Sequence, residues 1–318
     1  MKKISLFLSI LLFSTGILFA AEKSRYEKIY LWKDVGGMEY CLRDTILYSP
    51  KYAENPEQTG AKKTAVVICP GGSYHHLGLP HEGFTSSKWF DSIGVVPFVL
   101  QYRVAYNCHH HPAMLEDIQM AIKYIRENAK KYGIDKNKIG AIGFSAGGHL
   151  VTMAGVYGGK RNELEKYGIS TAESLRPDFV MPIYPVVSMQ DDIAHKWSRI
   201  SLLGHQFKNG AKGFSLANMW GHTYTKEMKD EYSMELNIPS DMVPSYIVAC
   251  RDDPVVKFEN SVRLDKAMTE KNIPHEFAVY EKGGHGFGMK DGWFMEETRW
   301  NEKLKAWMLN IGMLEETE

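Results

Sequence analysis

Short apolar runs alternate with amphipathic ones along most of the chain. Residues 64–69 read TAVVIC, a β-branched run bounded by Lys63 and Pro70, and residues 94–102 read GVVPFVLQY. Between them, 84–93 carries its apolar positions at helical spacing. The next segment, PAMLEDIQMAIKYIRENAKKYG over 112–133, repeats Met114, Ile118, Ala121, Ile122 and Ile125 every three or four residues. Pro112 near its first turn and Gly133 just past its end are the expected helix punctuation. KIGAIGF at 138–144 reads as a strand, and AGGHLVTMAGVYG at 146–158 as the helix after it. FVMPIYPV (179–186), SYIVAC (245–250) and HEFAVYE (275–281) are further strand-like runs. A helical pattern over 259–273 precedes the last of them, and a C-terminal helix is predicted over 292–309. Short apolar runs separated by helices imply βαβ units. The expected class is α/β, with a mainly parallel central sheet and helices on both faces. Strands near 27–33 and 39–48 are expected to pair antiparallel and begin that sheet.

One region breaks the rhythm. Residues 188–243 are polar and rich in His, Trp, Met and Lys, and predict a lid-like helical insertion over the ends of the strands. At the other extreme, Met1-Lys2-Lys3 is followed by an uncharged run from Ile4 to Ala21, closing on small residues. A basic start, an apolar middle and a small-residue exit read as a secretory signal peptide over 1–20, cleaved after Ala20. The alternative is an anchor, but the run is near the minimum bilayer span and is diluted by Ser9, Ser14, Thr15 and Gly16. The remaining 21–318 suffices for one large domain, in the periplasm or outside the cell. The 38 basic and 38 acidic residues balance to a formal charge of zero. No basic stripe points to nucleic acid, and no later segment points to membrane insertion. Four cysteines, Cys41, Cys69, Cys108 and Cys250, do not make a disulfide scaffold in a chain of this length. An oxidising compartment would allow one bridge, with partners the spacing does not choose.

Chemistry enters at Gly143-Phe144-Ser145-Ala146-Gly147, where a strand hands over to a helix. A serine on a sharp strand-to-helix turn needs small neighbours so that the two elements can close on each other, and its hydroxyl is then exposed at the mouth of the sheet. Serine and glycine are also ordinary turn residues. Ser145 is therefore a candidate nucleophile that needs a base and a carboxylate. His285, among glycines in EKGGHGFG after the last predicted strand, is the candidate base. Asp252 and Asp253 follow the penultimate strand, and spacing alone does not choose between them. The oxyanion of an acyl transfer needs N–H donors. Ala146 is the candidate for one, and the glycine-rich loop CPGGSYHH after the first core strand, where Gly71 and Gly72 let the backbone approach closely, is the candidate for the other.

CPGGSY, YRVA, IGFSAGGHL, RPDFVMPIYPVVSM, DDPVVKFENS and GGHGFG, in this order from about Ala65 to Gly288, resemble the α/β-hydrolase superfamily. More narrowly they resemble the bacterial acetyl-xylan-esterase-like and feruloyl-esterase-like carbohydrate esterases. The resemblance implies the α/β-hydrolase fold, and a serine acyl-hydrolase using Ser145, an aspartate and His285. It selects Asp253, the second Asp of an Asp-Asp-Pro-Val-Val block. It also implies an ester of carbohydrate as substrate, acetylated xylan fragments first and feruloyl esters next. The chain departs from the family in having Ser73 where a third glycine is usual, which leaves Gly72 and Ser73 both as candidate oxyanion donors, and in having Cys250-Arg251 before the aspartates.

Tyr74, His75 and Trp220 are expected to contact substrate, with His222 and Tyr224 beside Trp220. His75, His76, His81 and the run His109-His110-His111 raise the question of a metal. No Cys or carboxylate accompanies them at ligand spacing, and serine chemistry needs no metal or other cofactor. Arg103 and Asp117 are expected to form a bracing ion pair. Two rival functions remain: a peptidase of the prolyl-oligopeptidase kind, and a carbohydrate-binding relative without activity.

Overall fold

The structure, a computed structural model, describes residues 25–51, 62–204 and 224–315. Eight strands form one sheet: β1 (Tyr26–Tyr30), β2 (Ile46–Pro50), β3 (Lys63–Cys69), β4 (Val96–Gln101), β5 (Ile134–Phe144), β6 (Phe179–Ile183), β7 (Ser245–Cys250) and β8 (His275–Tyr280). Their order across the sheet is β1-β2-β4-β3-β5-β6-β7-β8. β1 and β2 pair antiparallel, as does β2 with β4, and every pair from β4 through β8 is parallel. The expected α/β class and the antiparallel start are both present. The second strand begins later than the sequence pattern suggests, because 39–41 is a turn of 3-10 helix.

The buried stretches of the central strands are apolar because both of their faces are covered. In β3, Ala65, Val67 and Cys69 face one core, and Val66 and Ile68 face the other. The period of two in a strand makes this alternation unavoidable. Helix α1 (Thr85–Ser92) is entered through a π-helical turn. Helices α2 (Ala113–Glu127), α4 (Ala146–Tyr157) and α7 (Glu259–Glu270) pack against the first core. Helix α1 and the C-terminal α9 (Trp300–Asn310) lie over the second, through Phe90 and through Trp300, Leu304, Trp307 and Met308. Each fully buried Val, Ile or Phe contributes roughly 1.5–3 kcal/mol. After α2 a short helix α3 (Ala129–Tyr132) ends on Gly133, left-handed at φ 63° as the punctuation predicts.

The single C-terminal helix is two. α8 (Trp293–Thr298) stops at Arg299, which takes a left-handed φ of 48°, and α9 starts in a new direction. Of the 188–243 excursion, the described residues form α5 (Lys196–Leu203), α6 (Lys226–Glu231) and a 3-10 turn at 234–236. The leader assigned to 1–20 lies outside the described residues, and no described helix is long and apolar enough to cross a membrane.

Arg103 and Asp117 do brace one another. Asp117 is fully buried and accepts from the Arg103 backbone N–H at 2.7 Å and its Nε at 2.9 Å. It also accepts from Trp32 Nε1 at 2.7 Å and Thr45 Oγ1 at 3.1 Å. Arg103 reaches Glu116 at 2.6 Å as well. All four cysteines are unpaired in the structure, with Cys41, Cys69 and Cys250 buried and Cys108 exposed.

Candidate active site

Ser145 is the hinge between β5 and α4, at φ 54° and ψ −115°. Such a conformation is strained for a residue with a side chain, of order 1–3 kcal/mol, and persists only where the surroundings dictate it. The dictating contacts are visible. A Cβ on Gly143 would lie 2.0 Å from the Gly147 carbonyl oxygen, and one on Gly147 would lie 2.0 Å from that of Cys69. Ser145 N–H donates to the Ile183 carbonyl at 3.0 Å.

His285 comes to Ser145 on a loop whose glycines do what side chains resist. Gly284, Gly286 and Gly288 all have left-handed φ, at 64°, 76° and 52°. His285 Nε2 lies 3.0 Å from Ser145 Oγ, and Nδ1 lies 2.7 Å from Asp253 Oδ2. The carboxylate only accepts, so Nδ1 carries the proton and Nε2 presents a lone pair to the serine hydroxyl. Asp253 is almost wholly buried, and its Oδ1 accepts the N–H groups of Val255 and Val256 at 2.8 and 2.9 Å. The open choice between the two aspartates is thereby resolved in geometry. Asp252 faces away from the imidazole and accepts the Gly284 N–H at 2.8 Å, shaping the histidine loop instead.

The loop after β3 abuts the serine. A Cβ on Gly71 would lie 2.9 Å from Ser145 Cβ. Gly72, Ser73 and Tyr74 follow with positive φ of 132°, 58° and 57°, so the turn is made with two non-glycine residues in left-handed conformation. The turn is stapled by His75 and His76 N–H donating to the Gly72 carbonyl at 2.9 and 3.0 Å. Among the described residues the N–H groups of Gly72 and Ser73 donate to no protein acceptor. Ala146, as the first residue of α4, likewise has no acceptor within its helix.

Tyr74 requires a correction. It is fully buried, and its hydroxyl meets His149 Nδ1 at 2.8 Å, so it anchors the loop to α4 and does not reach substrate. His149 Nε2 lies 2.8 Å from the Tyr232 carbonyl, which only accepts. The tautomer follows: Nε2–H donates to the carbonyl and Nδ1 accepts from Tyr74. Burial holds this imidazole neutral, with its pKa lowered to about 4.

His75 does line an opening. A cleft of about 940 Å³ is bounded by His75, Tyr106, His195, Trp197 and Val255, among others; Ser145, Asp253 and His285 are not in its wall, and it adjoins them through Val255, whose N–H bonds Asp253. The His75 ring packs edge-on to Trp197 and to Tyr106, with centroids 5.4 and 5.7 Å away. Trp197 is 46% exposed and Tyr106 74% exposed, so both present apolar ring surface to solvent. His195 belongs to this wall and to the electrostatics of the triad geometry. Burial lowers its pKa, the neighbouring His285 lowers it further, and Asp253 works the other way. Tyr184 is a further residue the sequence pattern did not single out, its ring centroid 4.7 Å from that of His285. The remaining expected contact, Trp220, and His222 lie outside the described residues. Tyr224 is buried, and its hydroxyl donates to the Gly204 carbonyl at 3.0 Å.

The histidine run is dispersed. His109 pairs with Asp44 at 3.0 Å, His110 faces the Ser201 carbonyl at 2.7 Å, and His111 faces the Tyr232 hydroxyl at 2.7 Å. Among the described residues, no three His, Cys, Asp or Glu side chains gather as a metal site would require.

A serine on a strand-to-helix elbow, at the carboxyl end of a sheet in this order, defines an α/β-hydrolase fold. More particularly, the chain belongs to the BD-FAE family, whose model matches residues 53–268. A dienelactone hydrolase family model also matches residues 230–315. An acetylxylan esterase of Xylanibacter ruminicola is 31% identical over 251 residues, 78% of this chain and 45% of that protein. Endo-1,4-beta-xylanase B of Butyrivibrio fibrisolvens is 32% identical over 277 residues, 84% of this chain and 40% of that protein. The chain thus spans less than half the length of these curated relatives. Among solved structures, an acetyl ester-xyloside bifunctional hydrolase from Caldicellulosiruptor lactoaceticus superposes with a TM-score of 0.72 at 29% identity, over 92% of this chain and 98% of that one.

Proposed function

We propose that the protein is an exported serine esterase that removes acyl groups, acetyl foremost, from carbohydrate such as xylan fragments. The observation that carries the reading is the relay Ser145–His285–Asp253, with contacts of 3.0 and 2.7 Å beside a loop with unsatisfied N–H groups. In this mechanism Ser145 Oγ attacks the ester carbonyl while His285 Nε2 takes its proton. Asp253 stabilises the imidazolium so formed, and the N–H groups of Ala146 and of Gly72 and Ser73 hold the oxyanion. The tetrahedral intermediate then collapses to the acyl-serine with cleavage of the bond to the sugar oxygen, which the imidazolium protonates so that it leaves as a hydroxyl. Water repeats the sequence on the acyl-serine, releasing the acid and restoring the enzyme.

Acetyl as the acyl group and xylan as its carrier are supported by the names of the relatives. A pyranose leaving group is supported by the exposed faces of Trp197 and Tyr106 at the cleft, since sugar rings stack on aromatic faces. Export is supported by the opening of the chain alone. The size and aromatic rim of the same cleft also suit a feruloyl group, which makes ferulate the second acyl candidate.

The test is release of acetate from acetylated xylo-oligosaccharides, with ferulate release from feruloylated ones in parallel. Ser145→Ala is expected to lose at least about 10⁴-fold in kcat on whichever ester is cleaved. Trp197→Ala is expected to raise KM for the oligosaccharide severalfold and to leave KM for p-nitrophenyl acetate unchanged. Cleavage of the small activated ester with neither oligosaccharide touched would refute the substrate and keep the mechanism.

A further inference from the structure

A buried carboxylate that the mechanism above does not use ties the two loops of the site together. Glu82 lies in the π-helical turn before α1 and is 4% exposed. Its Oε2 accepts the Gly71 N–H at 2.7 Å, in the loop whose next two N–H groups, those of Gly72 and Ser73, donate to no acceptor among the described residues. Its Oε1 accepts the Tyr184 hydroxyl at 2.8 Å. That hydroxyl in turn accepts the Gly288 N–H at 3.1 Å, three residues after the base. The Tyr184 ring is fixed against His285, and Tyr184 itself sits in a left-handed conformation at φ 38°.

The geometry points to Glu82 as a positioning residue for the acyl transfer. It sets the peptide plane that precedes the oxyanion donors, and through Tyr184 it sets the height of His285 over Ser145. The inference rests on the serine-esterase reading. The physical argument is one of directions. A carboxylate accepts at both oxygens, and here each oxygen has one strong donor, from a different loop. Neither loop can then shift without breaking a buried hydrogen bond, either Gly71 N–H to the Glu82 carboxylate or Gly288 N–H to the Tyr184 hydroxyl that this carboxylate holds. No other side chain type supplies two acceptors at this span without also presenting a donor. Glutamine would aim an NH₂ at either the Gly71 N–H or the Tyr184 hydroxyl. Of the two it can face only the hydroxyl, which then has to turn its own proton elsewhere. Oxyanion donors and bases act over tenths of an ångström, so such a shift appears in turnover before it appears in binding.

The experiment compares wild type with Ser145→Ala, Glu82→Gln, Tyr184→Phe and the Glu82→Gln/Tyr184→Phe double variant, with p-nitrophenyl acetate as substrate. Glu82→Ala would bury two unpaired donors, so the isosteric glutamine is the variant of choice, with folding checked by thermal unfolding. The expected result is a kcat lowered about 10- to 100-fold in Glu82→Gln, with KM within about twofold of wild type. Tyr184→Phe is expected to lose less, and the double variant no more than Glu82→Gln alone, because both changes cut one linkage. Protection of the Gly71 and Gly288 amides from hydrogen exchange should fall in Glu82→Gln, which a diffuse loss of stability would not single out. A folded Glu82→Gln with kcat within twofold of wild type, or losses that multiply in the double variant, would overturn the inference. Ser145→Ala retaining activity would instead overturn the serine reading, and this inference with it.

Discussion

At the scale of single residues, the two adjacent aspartates show how unequal neighbours can be. Asp253 holds the proton-bearing nitrogen of His285, and Asp252 holds a backbone N–H one residue before that histidine. Asp253→Asn would offer an amide where the imidazole needs an acceptor, and is expected to lower kcat about 10³- to 10⁴-fold with the fold retained. Asp252→Asn keeps an oxygen for Gly284, and is expected to cost at most about 1 kcal/mol, a few-fold in rate. Steady-state kinetics of the two variants side by side check both. Spacing in the sequence left this choice open, because both carboxylates follow the same strand and only side-chain direction separates them. Tyr74 misled for a related reason. Its place beside the oxyanion loop suggested substrate contact, but its ring turns inward to His149. Glu82 carried no periodic or motif signal at all. Its role depends on two loops that are far apart in sequence.

Among elements, the strands were the most legible part of the chain. β3 and β7 occupy the apolar runs read for them almost residue for residue, since strands buried on both faces leave no polar positions to blur their ends. The elbow was legible too, because its glycines are demanded by backbone contact. Gly147→Ala would put a Cβ 2.0 Å from the Cys69 carbonyl oxygen, so strand and helix would have to part. A loss of at least about 3 kcal/mol is expected by urea unfolding. Gly312→Ala makes the contrast: φ is 72° there, but nothing lies within 4 Å, so only the conformational cost of about 1 kcal/mol should appear. What stayed hidden were the breaks that no glycine or proline announces. The C-terminal helix divides at Arg299, an arginine in a left-handed conformation. The cleft wall of His195 and Trp197 arises on a short helix in a polar stretch without clear periodicity.

For the molecule as a whole, acid sensitivity has a source away from the triad. His149 joins α4, the loop after β3 and the Tyr232 segment, and burial lowers its pKa from the ordinary 6.5 to about 4. The unfolded chain therefore binds a proton between those values that the folded chain refuses. Stability is intact above about pH 6.5 and falls as pH drops toward 4, by roughly 3 kcal/mol from this group. Urea unfolding at pH 7 and pH 4.5 should show the loss. In His149→Asn, which has no proton to gain, the same pH step should cost correspondingly less. A fall of equal size in both proteins would assign the acid sensitivity elsewhere.

The convergence on Asp117 bears on where this chain can be shortened. Its buried charge is met by Trp32 and Thr45, which flank the antiparallel edge, as well as by Arg103 at the end of β4. An edge hairpin is the natural place to trim a domain when designing a minimal catalyst. Here trimming residues 25–50 would strip a buried ion pair of two of its donors, and breaking such networks costs about 3–5 kcal/mol. The hairpin is far from the serine in sequence, and none of Ser145, Asp253 and His285 lies in it. It is nonetheless a latch on the domain, and a minimal form of the enzyme has to keep it.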